Sequence, residues 1–177
     1  MRIRFLLAVI AAMIAGAGAG AFSPGVVLSA EETEKPGTTD TLWSAKFKDL
    51  DGKEQSFEQY KGKVLIVYFW AAWCAPCHKE APHLSQLYEA NRSKDLVVVG
   101  VAIDNADKVR KFVADKKLAN PTVYGGTDAV QLGRDLGNSL GAIPFSVIIG
   151  KDGKIVETIR GDAPAGKVEA ILAPLLG

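Results

Sequence analysis

Apolar positions along this chain fall into two patterns. Three stretches are apolar at nearly every position: Val64-Leu65-Ile66-Val67-Tyr68-Phe69-Trp70, then 96–103, then Phe145–Ile149. Without alternation, they predict inner strands covered on both faces. Other apolar residues recur at helical spacing. Val109, Phe112 and Val113 mark a helix over 106–118 that Asn120-Pro121 breaks, and Val168, Ile171, Leu172 and Leu175 give a last helix one buried face. Further helices are expected from the end of the first apolar run to about Asn91 and over 128–136. Short extended stretches at 43–48 and 54–57 are joined by the turn dipeptide Asp51-Gly52. Thr122-Val123-Tyr124 reads as a short strand, and Asp152-Gly153 turns the third apolar run back into a strand over 154–160. Asp162 and Pro164 are expected to start the last helix, as N-cap and early-turn residues. The predicted order is β-β-β-α-β-α-β-α-β-β-α, an α/β fold with a central mixed β-sheet flanked by helices and an N-terminal β-hairpin.

The first thirty residues follow a different pattern. Arg2 and Arg4 precede an apolar run over 5–21, and small residues lead to Leu28-Ser29-Ala30, just before Glu31-Glu32-Thr33-Glu34. This is the pattern of an export signal peptide. An uncleaved N-terminal membrane anchor is the alternative, since 5–21 is near the lower length limit for a span. Neither cysteine lies near this segment, which excludes a lipid-modified cysteine at the mature N-terminus. The polar stretch 31–40, with Pro36 and Gly37, reads as a linker. Residues 41–177 then form one domain, able to bury roughly two-thirds of its surface without a covalent staple. The expected location is periplasmic or otherwise extracytoplasmic. With a net charge of +1 and no basic block, nucleic acid and acidic membranes are not expected as partners. No coiled-coil pattern occurs, so a monomer is expected.

The chain has two cysteines, Cys74 and Cys77. An exported protein meets an oxidising compartment, where structural cysteines pair at a distance. A bridge closing so small a loop removes little unfolded-state entropy. Redox chemistry is therefore the better reason for the pair. The thiolate is the reactive form, and Cys74 sits where a strand gives way to a helix. Unpaired N–H groups and the helix dipole favour a negative sulfur there, beyond the carboxyl end of a strand where α/β sites lie. Cys74 is thus the expected nucleophile. Cys77, three residues on, is placed to attack the resulting mixed disulfide.

Cys77, Glu80, Leu84 and Leu87 share one helix face. If that face is buried, Glu80 has a raised pKa and can take the proton from Cys77. If Glu80 is exposed, it only stabilises the helix start, and periodicity leaves both readings open. Pro82 should kink the helix. Pro76 removes a donor at the helix start, where its loss is harmless.

Phe69-Trp70-Ala71-Ala72-Trp73-Cys74-Ala75-Pro76-Cys77 resembles the active-site segment of the thioredoxin superfamily. The run from Trp73 through His78-Lys79-Glu80-Ala81-Pro82 resembles its TlpA/ResA-like branch of exported thiol–disulfide oxidoreductases, several of which serve cytochrome c maturation. The resemblance covers nearly all of 41–177, including the helix over 106–118 as an insertion. It implies a cis Ile143-Pro144 bond facing the disulfide, with the Ile143 backbone pairing with an extended substrate segment. Trp73 and Pro76 complete the implied substrate-binding set, and Glu80 becomes a functional acid. The implied substrates are oxidised protein thiols, apocytochrome c among them, with a membrane thiol reductase as electron donor. No cofactor is implied beyond the redox-active disulfide Cys74–Cys77. Two departures stand out. Tyr68 occupies the place of thioredoxin's buried Asp, which leaves any proton relay to Glu80. The loop Gly141-Ala142-Ile143-Pro144-Phe145 lacks the Gly-Ala-Pro-Glu form of dedicated cytochrome c maturation thioredoxins, which puts that specific role in doubt.

Rival readings are weaker. Cys74-Ala75-Pro76-Cys77-His78 also fits C-x-x-C-H, the haem attachment motif. However, Met1 and Met13 both lie in the leader, which leaves no axial methionine in a mature chain. Zinc held by Cys74, Cys77, His78 and His83 would need ligands from different faces of one helix. His78 and His83 are instead expected as solvated helix residues. A peroxidase of the peroxiredoxin type lacks its Pro-x-x-x-Thr-x-x-Cys pattern here. Within the favoured class, an oxidant or isomerase is the alternative to a reductase. A non-enzymatic binding module would survive replacement of both cysteines.

Overall fold

A computed structural model of the chain describes residues 37–177. The leader expected over 1–30 and most of the linker over 31–40 lie outside the described residues. The elements are α1 (Asp40–Ser44), β1 (Lys46–Asp49), β2 (Glu54–Ser56), β3 (Val64–Trp70), α2 (Cys77–Asn91), β4 (Leu96–Ala102), α3 (Ala106–Lys116), β5 (Thr122–Tyr124), α4 (Thr127–Asp135), β6 (Phe145–Ile149), β7 (Ile155–Arg160) and α5 (Lys167–Leu176). Seven strands form one mixed sheet in the order β2-β1-β5-β4-β3-β6-β7. β3 runs parallel to β4 and antiparallel to β6, while β1 and β2 form the leading hairpin. Among the described residues, no helix is long and apolar enough to cross a membrane.

The unbroken apolar run of β3 follows from its place at the centre of the sheet. Val64, Ile66, Tyr68 and Trp70 face a layer containing Ala81 and Leu84 of α2, Val109 and Phe112 of α3, and Val168 and Leu172 of α5. Leu65, Val67 and Phe69 face the other layer, with Leu42 of α1 and Ala129 and Leu132 of α4. Each large aliphatic side chain buried in this way contributes roughly 1.5–3 kcal/mol. Alternation, the usual mark of a strand, is lost because neither face meets water.

Two expectations need correction. The stretch 43–48 is not a strand from its start, because Asp40–Ser44 forms a short helix and β1 begins at Lys46. Asp40 sits in that helix's first turn, and Leu42 turns fully inward. Asp162 is not the N-cap of the last helix either. Pro164 disfavours helical geometry at the residue before it, and α5 starts at Lys167 after Gly166 at φ 77°. Residues 162–166 are thereby left as a loop beside α2. The stretch 54–57 divides similarly: Ser56 ends β2 and accepts from the Glu58 N–H at 3.2 Å, capping a 3₁₀ turn over Phe57–Tyr60.

Candidate active site

Cys74 and Cys77 form a disulfide, with Cα atoms 5.3 Å apart, between the carboxyl end of β3 and the first residue of α2. Cys74 is 4% exposed and Cys77 is fully buried, so Cys74 is the sulfur nearer to solvent. The backbone N–H of Cys77 points at Cys74 Sγ from 3.4 Å. This is one of the orphan donors of a helix start, aimed where a thiolate would carry its charge. Pro76 precedes the helix and is exposed. Trp73 is 67% exposed beside the disulfide, one of three large apolar side chains left in solvent among the described residues.

The sheet brings the second half of the site to the same end. Phe145 of β6 pairs with Phe69 of β3, so Pro144 lies level with Trp70 and the loop that holds Cys74. The Ile143–Pro144 bond is cis, Pro144 is buried and Ile143 is half-buried. The Gly161 N–H donates to the Pro144 carbonyl at 2.9 Å and fixes the proline against the end of β7.

Glu80 lies one turn beyond Cys77 on the inner face of α2 and is 4% exposed. Both carboxyl oxygens are buried without a hydrogen-bond partner. Burial raises its pKa to about 7, and the charge of Asp162 adds to the rise. The Ala163 N–H pulls slightly the other way from outside hydrogen-bond geometry. Of the two readings that periodicity left open, the buried carboxyl is the one observed. A cleft of about 380 Å³ opens beside it, lined by Glu80, His83, Asp162, Pro164 and Glu169 among others. Solvent in this cleft thus comes up to the residues around the buried carboxyl.

Four residues near the site have surroundings that the sequence did not reveal. Tyr68 is 2% exposed with its hydroxyl unpartnered; burial pushes its pKa far up, and the charges of Glu80 and Asp162 push it further. It shares a layer with Glu80 because Tyr68 faces α2 in the strand's two-residue period, a deduction open to the sequence once that helix was placed. Asp162 reaches the cleft because α5 starts late. His78 is exposed, as expected, but it is not merely solvated. Its Nε2 lies 2.9 Å from the Ala72 carbonyl and its ring packs edge-on against Phe112 at 4.9 Å, tying the cysteine loop to α3. His83 pairs with Glu169 across the cleft at 3.1 Å.

Comparison with known proteins agrees with this geometry. The Redoxin family matches residues 19–173. The thiol-disulfide oxidoreductase ResA of Bacillus thuringiensis is 32% identical over 127 residues, covering 70% of either chain. That of Bacillus cereus is 34% identical over 126 residues with the same coverage. A thioredoxin-family thiol:disulfide interchange protein from Chlorobium tepidum superposes with a TM-score of 0.70 at 25% identity, over 81% of this chain and 98% of that one. With a thioredoxin-like sheet, a Cys74–Cys77 pair at its carboxyl end and relatives of this kind, the chain belongs to the Redoxin family and is a thiol–disulfide oxidoreductase of the ResA-like group.

Proposed function

We propose that the chain acts as a disulfide reductase on exported proteins, with Cys74 as nucleophile, Cys77 as resolving thiol and Glu80 as proton acceptor. The observation that carries the reading is Glu80, buried and unpartnered one turn from Cys77 with its pKa near 7. A carboxyl held there can accept a proton near neutral pH and return it to solvent. In the forward direction the Cys74 thiolate attacks one sulfur of a substrate disulfide. A Cys74–substrate bond forms, the substrate bond breaks, and a first substrate thiolate leaves and takes up a proton. Cys77 passes its proton to Glu80 and attacks Cys74 Sγ, which closes the Cys74–Cys77 bond and expels the second substrate thiolate; that thiolate takes up a proton from solvent as Glu80 returns its own. Two electrons and two protons pass to the substrate. Trp73, Pro76, Ile143 and cis-Pro144 form the surface against which an extended substrate segment lies, and Ile143 supplies the pairing backbone.

The amino-terminal pattern over 1–30 supports an extracytoplasmic location. There an idle dithiol drifts to the disulfide, so the reading requires a membrane thiol reductase as donor. The substrates are oxidised protein thiols. Apocytochrome c is one such substrate in the branch that the Trp73–Pro82 motif resembles. Equilibrating the Cys74–Cys77 pair with dithiothreitol or glutathione tests the direction. A potential near ~−270 mV or below supports a reductase, and one well above ~−180 mV makes the protein an oxidant or isomerase.

A further inference from the structure

The loop that delivers cis-Pro144 is shaped from within by one side chain. Asn138 follows α4, is 2% exposed, and directs its carboxamide back onto the loop. Its Nδ2 donates to the Ala142 carbonyl at 2.8 Å, and its Oδ1 accepts from the Ala142 N–H at 3.1 Å. One carboxamide thus takes both backbone groups of a single residue, as a neighbouring strand would. The Asn138 backbone is itself held, its N–H on the Gly133 carbonyl at 2.9 Å and its carbonyl on the Gly141 N–H at 3.0 Å. Gly137 at φ 106° and Gly141 at φ 65° supply the left-handed turns on either side. The Arg160 guanidinium donates to the Gly137 carbonyl at the loop's entry.

Core packing does not demand this shape. Ser139 and Leu140, at the tip, are exposed, Leu140 by 79%, so the loop contributes little buried area there. A buried carboxamide is also an expensive way to close a surface turn that water could satisfy. The clamp does, however, have a consequence at the site. The Ala142 carbonyl and the Ile143 N–H belong to one trans peptide plane and point in opposite directions. Asn138 holds that carbonyl inward and so aims the Ile143 N–H away from itself.

We propose that Asn138 is a positioning residue for substrate, whose clamp on Ala142 presents the Ile143 backbone to an extended, disulfide-bearing segment of the substrate protein. The proposal rests on the reading that substrate pairs along Ile143. A small disulfide, which needs to reach only Cys74, has no use for the clamp.

The test follows single turnovers of the reduced full-length chain, with kcat read as the limiting rate and KM as the half-saturating concentration, against two oxidants that release the same yellow thiolate. One is an unstructured peptide whose single cysteine carries a thionitrobenzoate group, and the other is the symmetrical small disulfide of that thiol. In the wild-type protein the peptide should saturate, with the higher kcat/KM. In Asn138→Ala the ratio of peptide to small-disulfide kcat/KM should fall about tenfold to 100-fold, the scale of a misplaced positioning contact. The fall should lie in KM rather than kcat. Asn138→Asp keeps the acceptor for the Ala142 N–H but loses the donor, and should lose ratio too. It decides the question alone if Asn138→Ala does not fold. A wild-type ratio kept by a folded variant overturns the proposal and leaves the Ile143 reading standing. A wild-type protein that shows no preference for the peptide overturns both.

Discussion

The Cys77 N–H points at the sulfur of Cys74, and the reverse relationship does not hold. Cys77, the first residue of α2, is fully buried, while Cys74 precedes the helix with the Cys77 N–H aimed at its sulfur. The two sulfurs of one short motif are thereby made unequal. In the proposed reaction, this inequality suits Cys74 to the attack on substrate and Cys77 to the intramolecular step.

That asymmetry makes the single-cysteine variants behave differently. Cys77→Ser should accumulate a mixed disulfide between Cys74 and a substrate protein, visible as a mass adduct that dithiothreitol removes. Cys74→Ser should form far less of it under the same conditions, because its remaining thiol is buried. Equal trapping by the two variants would remove the assignment of nucleophile and resolving thiol.

Glu80 should leave a mark on stability as well as on rate. Its folded-state pKa near 7 stands above the ordinary value of 4.5, so the folded protein binds this proton more tightly than the unfolded chain. The protonated carboxyl's contribution is therefore complete below about pH 4.5 and is lost as pH rises through 7. A carboxyl moved that far carries at most about 3 kcal/mol, and solvent in the adjoining cleft trims this to roughly 2 kcal/mol. Oxidised wild-type protein should lose stability between about pH 5 and pH 8 in urea titrations, and Glu80→Gln should flatten the loss. Parallel curves for the two proteins would mean that Glu80 titrates normally.

The same substitution separates proton transfer from attack. In Glu80→Gln the formation of a mixed disulfide by Cys74 should be nearly unchanged, while its resolution by Cys77 slows by about 10²–10⁴-fold, the range of a lost general base. The wild-type resolution rate should rise with an inflection near pH 7 that the variant lacks. Rapid quenching with acid followed by mass measurement resolves the two steps.

Much of this site was legible because its chemistry sits on one continuous segment. Trp73 through Pro82 carries both cysteines and Glu80 at fixed helical offsets, so the face that Glu80 shares with Leu84 and Leu87 could be named, although its burial could not be decided from periodicity. Contacts made across the sheet were not legible. Whether Asp162 caps α5 or faces Glu80 depends on where that helix begins. A left-handed glycine and a proline decided that, against a plausible N-cap residue. Asn138 has a sequence context that says only "turn", and its pairing with Ala142 depends on φ values at Gly137 and Gly141 that composition does not specify. The start of β1 was misplaced for a similar reason. Five residues of helix around a buried Leu42 present too few positions for periodicity to tell helix from strand.

Two glycines that the apolar pattern passes over should respond to alanine with opposite signs. Gly100 interrupts the apolar run of β4. A Cβ built there would stand 2.9 Å from Trp70 Nε1, 3.4 Å from Thr122 Oγ1 and 3.6 Å from Asn120 Nδ2. Trp70 cannot yield easily, since it is 1% exposed and packed on Phe112 with ring centroids 4.4 Å apart. Gly100→Ala should therefore destabilise by about 1–3 kcal/mol as an overpacked core position. Trp70 is four residues before Cys74, so the tryptophan near-ultraviolet circular dichroism should change with it. Gly133 lies within α4, where a Cβ would meet the Phe69 ring at 3.6 Å, an ordinary contact. There the helix gains roughly 0.5–1 kcal/mol from the lost flexibility of glycine. Urea midpoints moving down for Gly100→Ala and up for Gly133→Ala would place the tight contact at Trp70. A gain at both positions would mean that the indole has room to move, and that the packing behind the cysteine loop is looser than these distances imply.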